Sequence, residues 1–399
     1  MPLPPSLWLY LASRFCAASA MTMLQTAAVW HVFVLSHSAF QMGLLGLVQF
    51  VPALLLMMLG GAVADTFDRR SVVMLAQLPP LAAGAVLYFA TVRGFVSVPL
   101  IFAAMSVIAA AGAFDGPARM AFLPGLVGRE AFPRAVVFAT TTMALAFVTG
   151  PGVQGLLIAL SGLHAVYALY GGLIGLALVF LSFLHPVAPA AAGGAMSVEA
   201  VRESLGFVRR SPVILGCMTL DMLAVIFGGA GTLLPIYAKD ILGKGPRGYG
   251  LLAASLEMGA LLMALFMLTR PPVLRAGRAL LIAVGVYGAA TIAFGLSRTF
   301  PLSVALYMIV GMADSVSVVM RSTAIQLSTP DELRGRVSAV NMLFIGASNR
   351  LGGAESGFVA ALTNATFSVV SGGVGCLVVL AIVAARIPEL RRYRIPSRG

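Results

Sequence analysis

Twelve stretches of this chain are long and apolar enough to cross a lipid bilayer, and their succession restricts the fold more than any other feature. A membrane-spanning α-helix needs about 20 mostly apolar residues. Cutting the chain at its charged residues and Gly/Pro clusters leaves stretches near 7–35, 41–64, 71–92, 98–118, 135–160, 163–185, 213–238, 248–269, 279–297, 301–325, 338–362 and 365–386. Only 10% of the 399 residues are charged, against about 25% in soluble domains. The sequence therefore predicts an all-α integral membrane protein.

One connector is longer than the others and divides the stretches six and six. It combines an Ala/Pro/Gly run with the segment Ser197–Arg210, whose apolar residues recur at helical spacing. We expect an N-terminal six-helix bundle over 1–186, a cytoplasmic linker over 187–212, a C-terminal six-helix bundle over 213–386 and a cytoplasmic tail over 387–399. The first stretch is expected to be a transmembrane helix and not a signal peptide, because Arg14 interrupts it and no basic residue precedes that arginine.

Basic residues mark one side of the predicted membrane protein. Of the 26 Lys and Arg residues, 18 lie in alternate connectors and the tail, five in the intervening connectors and three inside apolar stretches. Positively charged connectors stay in the cytoplasm, so both termini are expected there. This distribution accounts for the net charge of +12, and a nucleic-acid partner is not expected.

Cysteine and histidine spacing gives no sign of a metal site or of a disulfide framework. The cysteines Cys16, Cys217 and Cys376 all lie inside apolar stretches, and the four histidines show no H-x-x-x-H spacing. The sequence also lacks paired cysteines and a Gly-rich phosphate loop. We therefore expect neither a metal nor a cofactor, and no enzyme activity.

Five residues recur at a constant offset of 202, about half the chain length. The pairs are Arg119 and Arg321, Glu130 and Glu332, Arg134 and Arg336, Gly150 and Gly352, and Gly155 and Gly357. Many secondary transporters consist of two fused copies of one membrane unit, with the substrate site where the copies meet. The repeat therefore predicts a transporter. Arg350 and Glu355 replace Val148 and Val153 in the second copy, which points to the second half for the chemistry.

Ionisable residues inside the apolar stretches are the candidate transport site. A charge at the bilayer centre costs about 2.5–3.5 kcal/mol on insertion scales, so such groups normally line a cavity or pair with one another. The candidates for transport or proton coupling are Arg14, Asp221, Glu257, Asp314, Arg350 and Glu355. Asp221, Glu257 and Asp314 have no cation within one helical turn. They are interpreted equally well as proton carriers or substrate contacts and as structural groups. Arg14 is expected either to meet an anionic group or to form a structural ion pair.

A second set of charges is expected at the cytoplasmic side. It comprises Asp115, Arg119, Arg321, Arg334 and Arg336. Asp115 and Arg119 are four residues apart, which places their side chains together on one helix face. A structural pair is favoured there over a substrate site. Arg321 is expected to pair similarly or to extend its guanidinium group to the lipid headgroups.

The turn between the second and third stretches combines glycine with charged residues. It contains Gly61, Asp65, Asp68, Arg69 and Arg70. The glycine is expected to let two helices approach closely, and the charges to pair across a cytoplasmic interface. This turn resembles the gating loop that is the signature of the major facilitator superfamily, with Thr66 and Asp68 in place of the usual basic residue and glycine. An ordinary charged turn is the alternative.

Two further regions extend the resemblance over essentially the whole chain. Gly150, Pro151 and Gly155 form a helix-kink motif similar to the Gly-Pro motif of exporters in that superfamily, although a simple packing kink is the alternative. Phe227–Asp240 and Asp331–Gly357 resemble the branch that contains the enterobactin exporter and related siderophore and drug exporters. The arginine that such exporters carry in the middle of the fourth helix is absent, because residues 98–114 contain no basic group.

The resemblance implies a monomeric transporter of the bacterial inner membrane that works by alternating access. It implies export of a small amphiphilic molecule in exchange for protons, with a siderophore as the favoured substrate and a range of drugs as the alternative. An uptake carrier of the same fold is the rival for direction. A solute sensor is the rival for class, although such a sensor usually carries a soluble signalling domain.

Overall fold

The computed structural model consists of helices and short connectors, with no β-strand in the part of the chain that it describes. That part is residues 4–128, 130–185, 198–271 and 273–395, without the side chains of 198–202. Its helices are α1 (Pro5–Ser36), α2 (Ala39–Thr66), α3 (Arg69–Arg93), α4 (Val98–Leu126), α5 (Phe132–Ser161), α6 (Leu163–Ser182), α7 (Val198–Arg210), α8 (Pro212–Gly228), α9 (Leu234–Ile236), α10 (Gly245–Leu268), α11 (Ala276–Leu296), α12 (Phe300–Leu327), α13 (Asp331–Leu362), α14 (Ala365–Arg386) and α15 (Pro388–Arg392). Residues 187–197 of the predicted linker and 396–399 of the predicted tail lie outside the described residues.

The predicted all-α membrane fold is confirmed. Among the described residues, 11 helical segments are long and apolar enough to cross a membrane, with Pro212–Ile241 counted as one segment. The remaining predicted stretch, 338–362, lies within α13, which is 32 residues long. The charges of α13, among them Arg350 and Glu355, lower its hydropathy below that of the other spans.

α4 runs further than the sequence predicts. The stretch was expected to end at 118, before Arg119, but α4 continues to Leu126. Arg119 is only 7% exposed and forms an ion pair with Asp115. Because its charge is compensated inside the protein, it does not end the helix.

The predicted span 213–238 is interrupted. α8 ends at Gly228, and a 3-10 turn (Ala230–Leu233), α9 and a π-helical turn (Tyr237–Ile241) follow. The Tyr287 hydroxyl donates to the Gly228 carbonyl at 3.1 Å, and Ser356 Oγ donates to the Gly229 carbonyl at 2.9 Å. Irregular backbone at membrane depth requires such internal partners, so the break is built into the fold.

Contacts divide the chain into two compact units. The first unit is Met1–His37, Leu47–Ala195 and Gly245–Ala254, and the second is Ser38–Gly46, Met196–Lys244 and Ser255–Gly399. The start of α2 thus belongs to the second unit, and the start of α10 to the first. The division of the sequence at 186 and 212 into two six-helix bundles stays a prediction.

Each unit has its own apolar core. In the first unit, Leu7, Tyr10, Val73, Phe122 and Leu181 are part of one buried cluster. The corresponding cluster of the second unit includes Ile214, Leu280, Val337 and Cys376. It also takes in Val208 of α7, so this helix of the predicted linker packs on the second unit.

In the first unit, the repeated glycines of α5 are points of close helix contact. A Cβ atom at Gly150 would collide with Thr22 Oγ1 of α1 and lie 3.0 Å from the Met23 nitrogen. At Gly155 it would lie 2.6 Å from Gly250 Cα of α10 and 2.7 Å from the Pro246 carbonyl oxygen. Small residues let helix backbones approach in this way.

The second unit repeats this arrangement in α13. A Cβ atom at Gly352 would lie 2.5 Å from the Val225 carbonyl oxygen of α8. At Gly357 it would lie 2.6 Å from Gly43 Cα of α2 and 2.7 Å from the Ala39 carbonyl oxygen. The offset of 202 residues therefore preserves a helix-packing contact that each unit makes separately.

Candidate functional site

The first unit contains a cavity of about 440 Å³ that is lined by five helices. Its ionisable and polar lining residues are Arg14, Thr22, Gln25, Gln77, Asp115, Arg119 and Tyr170. Apolar side chains such as Met143, Phe147 and Ile174 complete the wall. We call this space the first-unit cavity. Its volume lies in the range typical of small-molecule sites, about 300–1,000 Å³.

Asp115 and Arg119 form the pair that their spacing predicts. Arg119 Nε donates to both carboxylate oxygens of Asp115, at 2.9 and 2.8 Å. Gln77 of α3 donates its side-chain amide to Asp115 Oδ1 at 2.9 Å. The carboxylate therefore holds the Nε edge of the guanidinium group in place and leaves Nη1 and Nη2 to find other partners.

Arg14 is connected to this pair through Tyr10. Arg14 Nη1 donates to the Tyr10 hydroxyl at 2.9 Å, and that hydroxyl donates to the Arg119 carbonyl oxygen at 2.8 Å. Arg14 makes no ion pair within the described residues, so the structural ion pair weighed for it in the sequence is not found there. Arg14 and Arg119 both line the cavity.

Four hydrogen-bond donors of this lining have no protein partner within the described residues. They are Arg14 Nε, Arg119 Nη1, Arg119 Nη2 and the Tyr170 hydroxyl, all buried from solvent. Tyr170 has no exposed surface, and Gly84 of α3 provides the space for its ring. Since buried polar groups normally have partners, these donors favour a ligand that accepts hydrogen bonds.

In the second unit, Arg321 forms an ion pair with Asp221. The pair joins α12 to α8, and the two side chains are 2% and 11% exposed. The structural pair expected for Arg321 is thus present with a partner on another helix, and the alternative, extension to the headgroups, is not found. At the position equivalent to Asp115, α12 carries the buried Ser317, so the carboxylate has to come from another helix.

Asp314 lies in a smaller cavity of the second unit, of about 190 Å³. This cavity is lined by the broken end of α8, including Gly229 and Thr232, and by Tyr287, Tyr307 and Asn349. Tyr307 is 4% exposed, and it lines this cavity together with Asp314. A carboxylate, two tyrosines and irregular backbone thus surround one space.

Glu257 of α10 lies near Asp314, and the two carboxylates interact electrostatically. Two glycines bring their helices together. A Cβ atom at Gly259 would collide with the Met308 carbonyl oxygen, and one at Gly311 with that of Leu256. The structure therefore brings Glu257 and Asp314 together as one acidic group. Asp221 is not part of that group, because it pairs with Arg321.

The α13 candidates Arg350 and Glu355 are partly buried. Ser356 Oγ lies 3.4 Å from Glu355 Oε2 and 2.9 Å from the Gly229 carbonyl oxygen, to which it donates. The backbone carbonyl of Arg350 faces Gly46 of α2, where a Cβ atom would lie 3.0 Å away. Both residues thus lie on the helix that closes the broken end of α8.

The gating loop differs from the predicted arrangement in its glycine. Gly60 makes the close contact, since a Cβ atom there would collide with the Ala113 carbonyl oxygen of α4, whereas one at Gly61 would meet nothing within 4 Å. The prediction for Gly61 is therefore wrong by one residue. Asp65 is exposed.

The loop arginines bond to backbone carbonyls and not to carboxylates within the described residues. Arg69 Nη1 donates to the Ala121 carbonyl oxygen of α4 at 2.7 Å, and Arg70 Nη2 donates to that of Ser182 of α6 at 2.8 Å. Asp68 caps α3 by accepting from the Ser71 nitrogen at 2.9 Å. Aspartate at the usual glycine position therefore has a local structural role.

The predicted cytoplasmic charge cluster consists of separate pairs. Arg334 pairs with Asp331 at 2.6 Å within the first turns of α13. Arg336 pairs with Glu203 of α7 at 2.7 Å, which ties this helix to α13. Arg129, Arg398 and the side chain of Arg202, counted in the orientation argument, lie outside the described residues.

Three features of the sites were missed in the sequence. Gln77 and Tyr170 carry no charge, and no local sequence pattern places them at the cavity. The break after α8 did have a signal, since Gly228, Gly229 and Gly231 form a run of helix-breaking residues.

A membrane-spanning helical fold with ionisable side chains lining a cavity in each unit is typical of a transporter. The family model described as transmembrane secretion effector matches residues 6–398. The chain belongs to this family of the major facilitator superfamily.

Two curated relatives are enterobactin exporters. EntS of Escherichia coli O1:K1 / APEC is 25% identical over 390 residues, covering 96% of this chain and 92% of that protein. EntS of Citrobacter koseri is 25% identical over 396 residues with the same coverage. These relatives span nearly the whole chain.

Solved structures share the fold at lower identity. A bacterial homologue of the human lysosomal transporter Spinster, in an inward-facing and occupied conformation, aligns with a TM-score of 0.77 at 15% identity over 97% of each chain. The nucleoside transporter NupG aligns with a TM-score of 0.74 at 16% identity, covering 96% of this chain and 99% of that one. These similarities establish the fold alone.

Proposed function

We propose that this inner-membrane transporter exports a small amphiphilic molecule by alternating access, with a siderophore as the favoured substrate. The observation that carries the proposal is the first-unit cavity, with apolar walls and a small group of polar side chains. Such a composition suits an amphiphilic ligand. The enterobactin exporters among the relatives and the secretion family support export and a siderophore.

Proton coupling is part of the proposal. Glu257 and Asp314 are two partly buried carboxylates on closely packed helices, and their charges interact. Two like charges in a poorly solvated site are unfavourable, and binding a proton relieves the repulsion. Asp221 is a weaker candidate, because Arg321 already compensates its charge.

The proposed topology has both termini in the cytoplasm, and the proposed working unit is the monomer.

A deletion strain tests the substrate and the direction together. Cells that make a catecholate siderophore and lack this chain are expected to retain it and to leave the medium poor in it, with recovery when the chain is restored. Secretion that is unchanged in a strain without a redundant exporter excludes the siderophore. Accumulation of external siderophore through the restored chain would instead identify an uptake carrier.

A broad drug/proton antiporter is the second candidate. It is favoured by the apolar share of the cavity wall, including Met21, Met120 and Met143, since methionine side chains adapt to varied ligands. Tolerance of several unrelated drugs conferred by the chain, without siderophore secretion, would select this function.

A further inference from the structure

We propose that the first-unit cavity is a receptor for one anionic group with two neighbouring oxygens, a carboxylate or a catecholate, carried by the transported molecule. The proposal rests on the proposed transport function, because the group belongs to the substrate. It assigns substrate contact to Arg14, Arg119 and Tyr170.

The charge of the lining sets the sign of the ligand. Two guanidinium groups and one carboxylate line this space, which leaves one positive charge uncompensated. That charge belongs to Arg14, which is partly buried, and an unpaired charge away from bulk water is unfavourable unless a counter-ion is present. An anion would neutralise the cavity, whereas a cationic substrate would add to the excess.

The hydrogen-bonding inventory points to the same ligand. Arg14 Nε, Arg119 Nη1 and Nη2 and the Tyr170 hydroxyl are buried donors without a protein partner within the described residues. The carboxylate oxygens of Asp115, which would repel an anion, are occupied by Arg119 Nε and Gln77. An arginine end with two free nitrogens suits two oxygens of one planar group.

Asp115 and Gln77 are positioning residues in this site. They hold Arg119 by its Nε edge, and the Arg119 side chain is 8% exposed. The guanidinium plane is therefore fixed before the ligand arrives, which reduces the entropy lost on binding.

Ligand charge can be tested with small aromatic probes on the purified full-length chain in detergent. Benzoate and 4-nitrocatechol carry an anionic oxygen group, and benzamide is a neutral counterpart of benzoate. Titration is expected to show benzoate, 4-nitrocatechol or both binding at least about 10-fold more tightly than benzamide. Which of the two anions binds distinguishes a carboxylate from a catecholate receptor.

Variants connect that selectivity to the cavity. Tyr170→Phe keeps the ring and removes the hydroxyl, and Arg14→Gln removes a charge that has no ion-pair partner among the described residues. Each is expected to weaken anion binding by about 10-fold without changing benzamide binding. Arg93→Gln, at an exposed position at the end of α3, is the matched control and should leave the selectivity intact.

Arg119 needs a charge-balanced variant, because its removal alone leaves the partly buried Asp115 without its cation. Asp115→Asn combined with Arg119→Gln is expected to abolish the preference for anions while the protein stays folded. Benzoate and 4-nitrocatechol that both bind no more tightly than benzamide would overturn the proposal. So would a preference that survives Tyr170→Phe, Arg14→Gln and the double variant.

These outcomes are independent of the transport assay. Anion selectivity that depends on Arg14 and Tyr170, in a chain that secretes nothing, would refute the proposed transport function and support the proposed anion site. Siderophore secretion without this selectivity would refute the proposed anion site and leave the proposed transport function supported.

Discussion

Arg119 and Arg321 occupy equivalent positions in the two halves of the chain, but their carboxylate partners come from different places. Arg119 pairs with Asp115 four residues earlier on its own helix. Arg321 pairs with Asp221 of another helix, α8. The first ion pair lies within one helix and therefore does not connect α4 to another helix. Hydrogen bonds from Gln77 and Tyr10 make those connections. The second pair ties α8 to α12 directly.

This difference shows how the same residue can have different roles in the two copies of a duplicated fold. A cation that recurs in both copies becomes part of a lined cavity in one unit and a helix tie in the other. In contrast, the glycine contacts are alike, with Cβ clashes of 2.6 Å at Gly155 and at Gly357. Packing is thus retained across the copies, while the placement of charge diverges.

The largest expected effect is that of Asp221→Asn. It leaves the Arg321 guanidinium group buried without its counter-ion, because that side chain is only 2% exposed. We expect a loss of about 3–5 kcal/mol in stability. Thermal unfolding of the purified protein in detergent measures it.

Asp115→Asn is the matched comparison. The Arg119 side chain is 8% exposed, against 2% for Arg321, and it borders a cavity, so the loss should be smaller than for Asp221→Asn. Asp221→Asn combined with Arg321→Met, which removes both charges, should recover most of the lost stability. Equal losses of stability for the two aspartate variants would contradict the proposed difference between the two ion pairs.

Gly155→Ala and Gly357→Ala test the part that the units share. Each adds a methyl group within 2.7 Å of a facing helix backbone, and such overpacking typically costs about 1–3 kcal/mol. Both variants should lower the thermal midpoint by similar amounts. Gly152→Ala and Gly346→Ala are the controls, because their Cβ atoms would meet no atom closer than 4.0 Å. A large effect of one test variant only would mean that the two contacts are not equivalent.

Asp68→Ala addresses an element found in one unit only. Asp68 caps α3, whereas Arg275 at the equivalent start of α11 makes no side-chain cap. Loss of an N-cap typically costs about 1 kcal/mol, and a decrease of that size in unfolding free energy is expected. The exposed Asp65, changed to alanine, should have little effect. If Asp65→Ala matches Asp68→Ala, the capping role is refuted.

The sequence predicted correctly those features that depend on residues close together in the chain. Apolar length predicted the spans, and the four-residue spacing predicted the pairing of Asp115 with Arg119. The partner of Arg321 could not be predicted, because it comes from a helix about 100 residues earlier, and only tertiary packing brings Asp221 to it. For the same reason Gln77 and Tyr170 were missed, since nothing in their sequence neighbourhood distinguishes them. The close contact was assigned to Gly61, because that glycine lies four residues before Asp65 as the motif requires. Gly60 makes the contact instead, because the rotation of the helix decides which glycine faces α4.

Inside-out membrane vesicles test the central claim most directly. With an imposed proton gradient, acidic inside, vesicles containing this chain are expected to accumulate labelled enterobactin. Accumulation should fall to the level of empty vesicles when the gradient is collapsed, and it should fall strongly with Arg14→Gln. Vesicles that fail to accumulate enterobactin, or that do so equally well after the gradient is collapsed, would contradict proton-driven export of a siderophore.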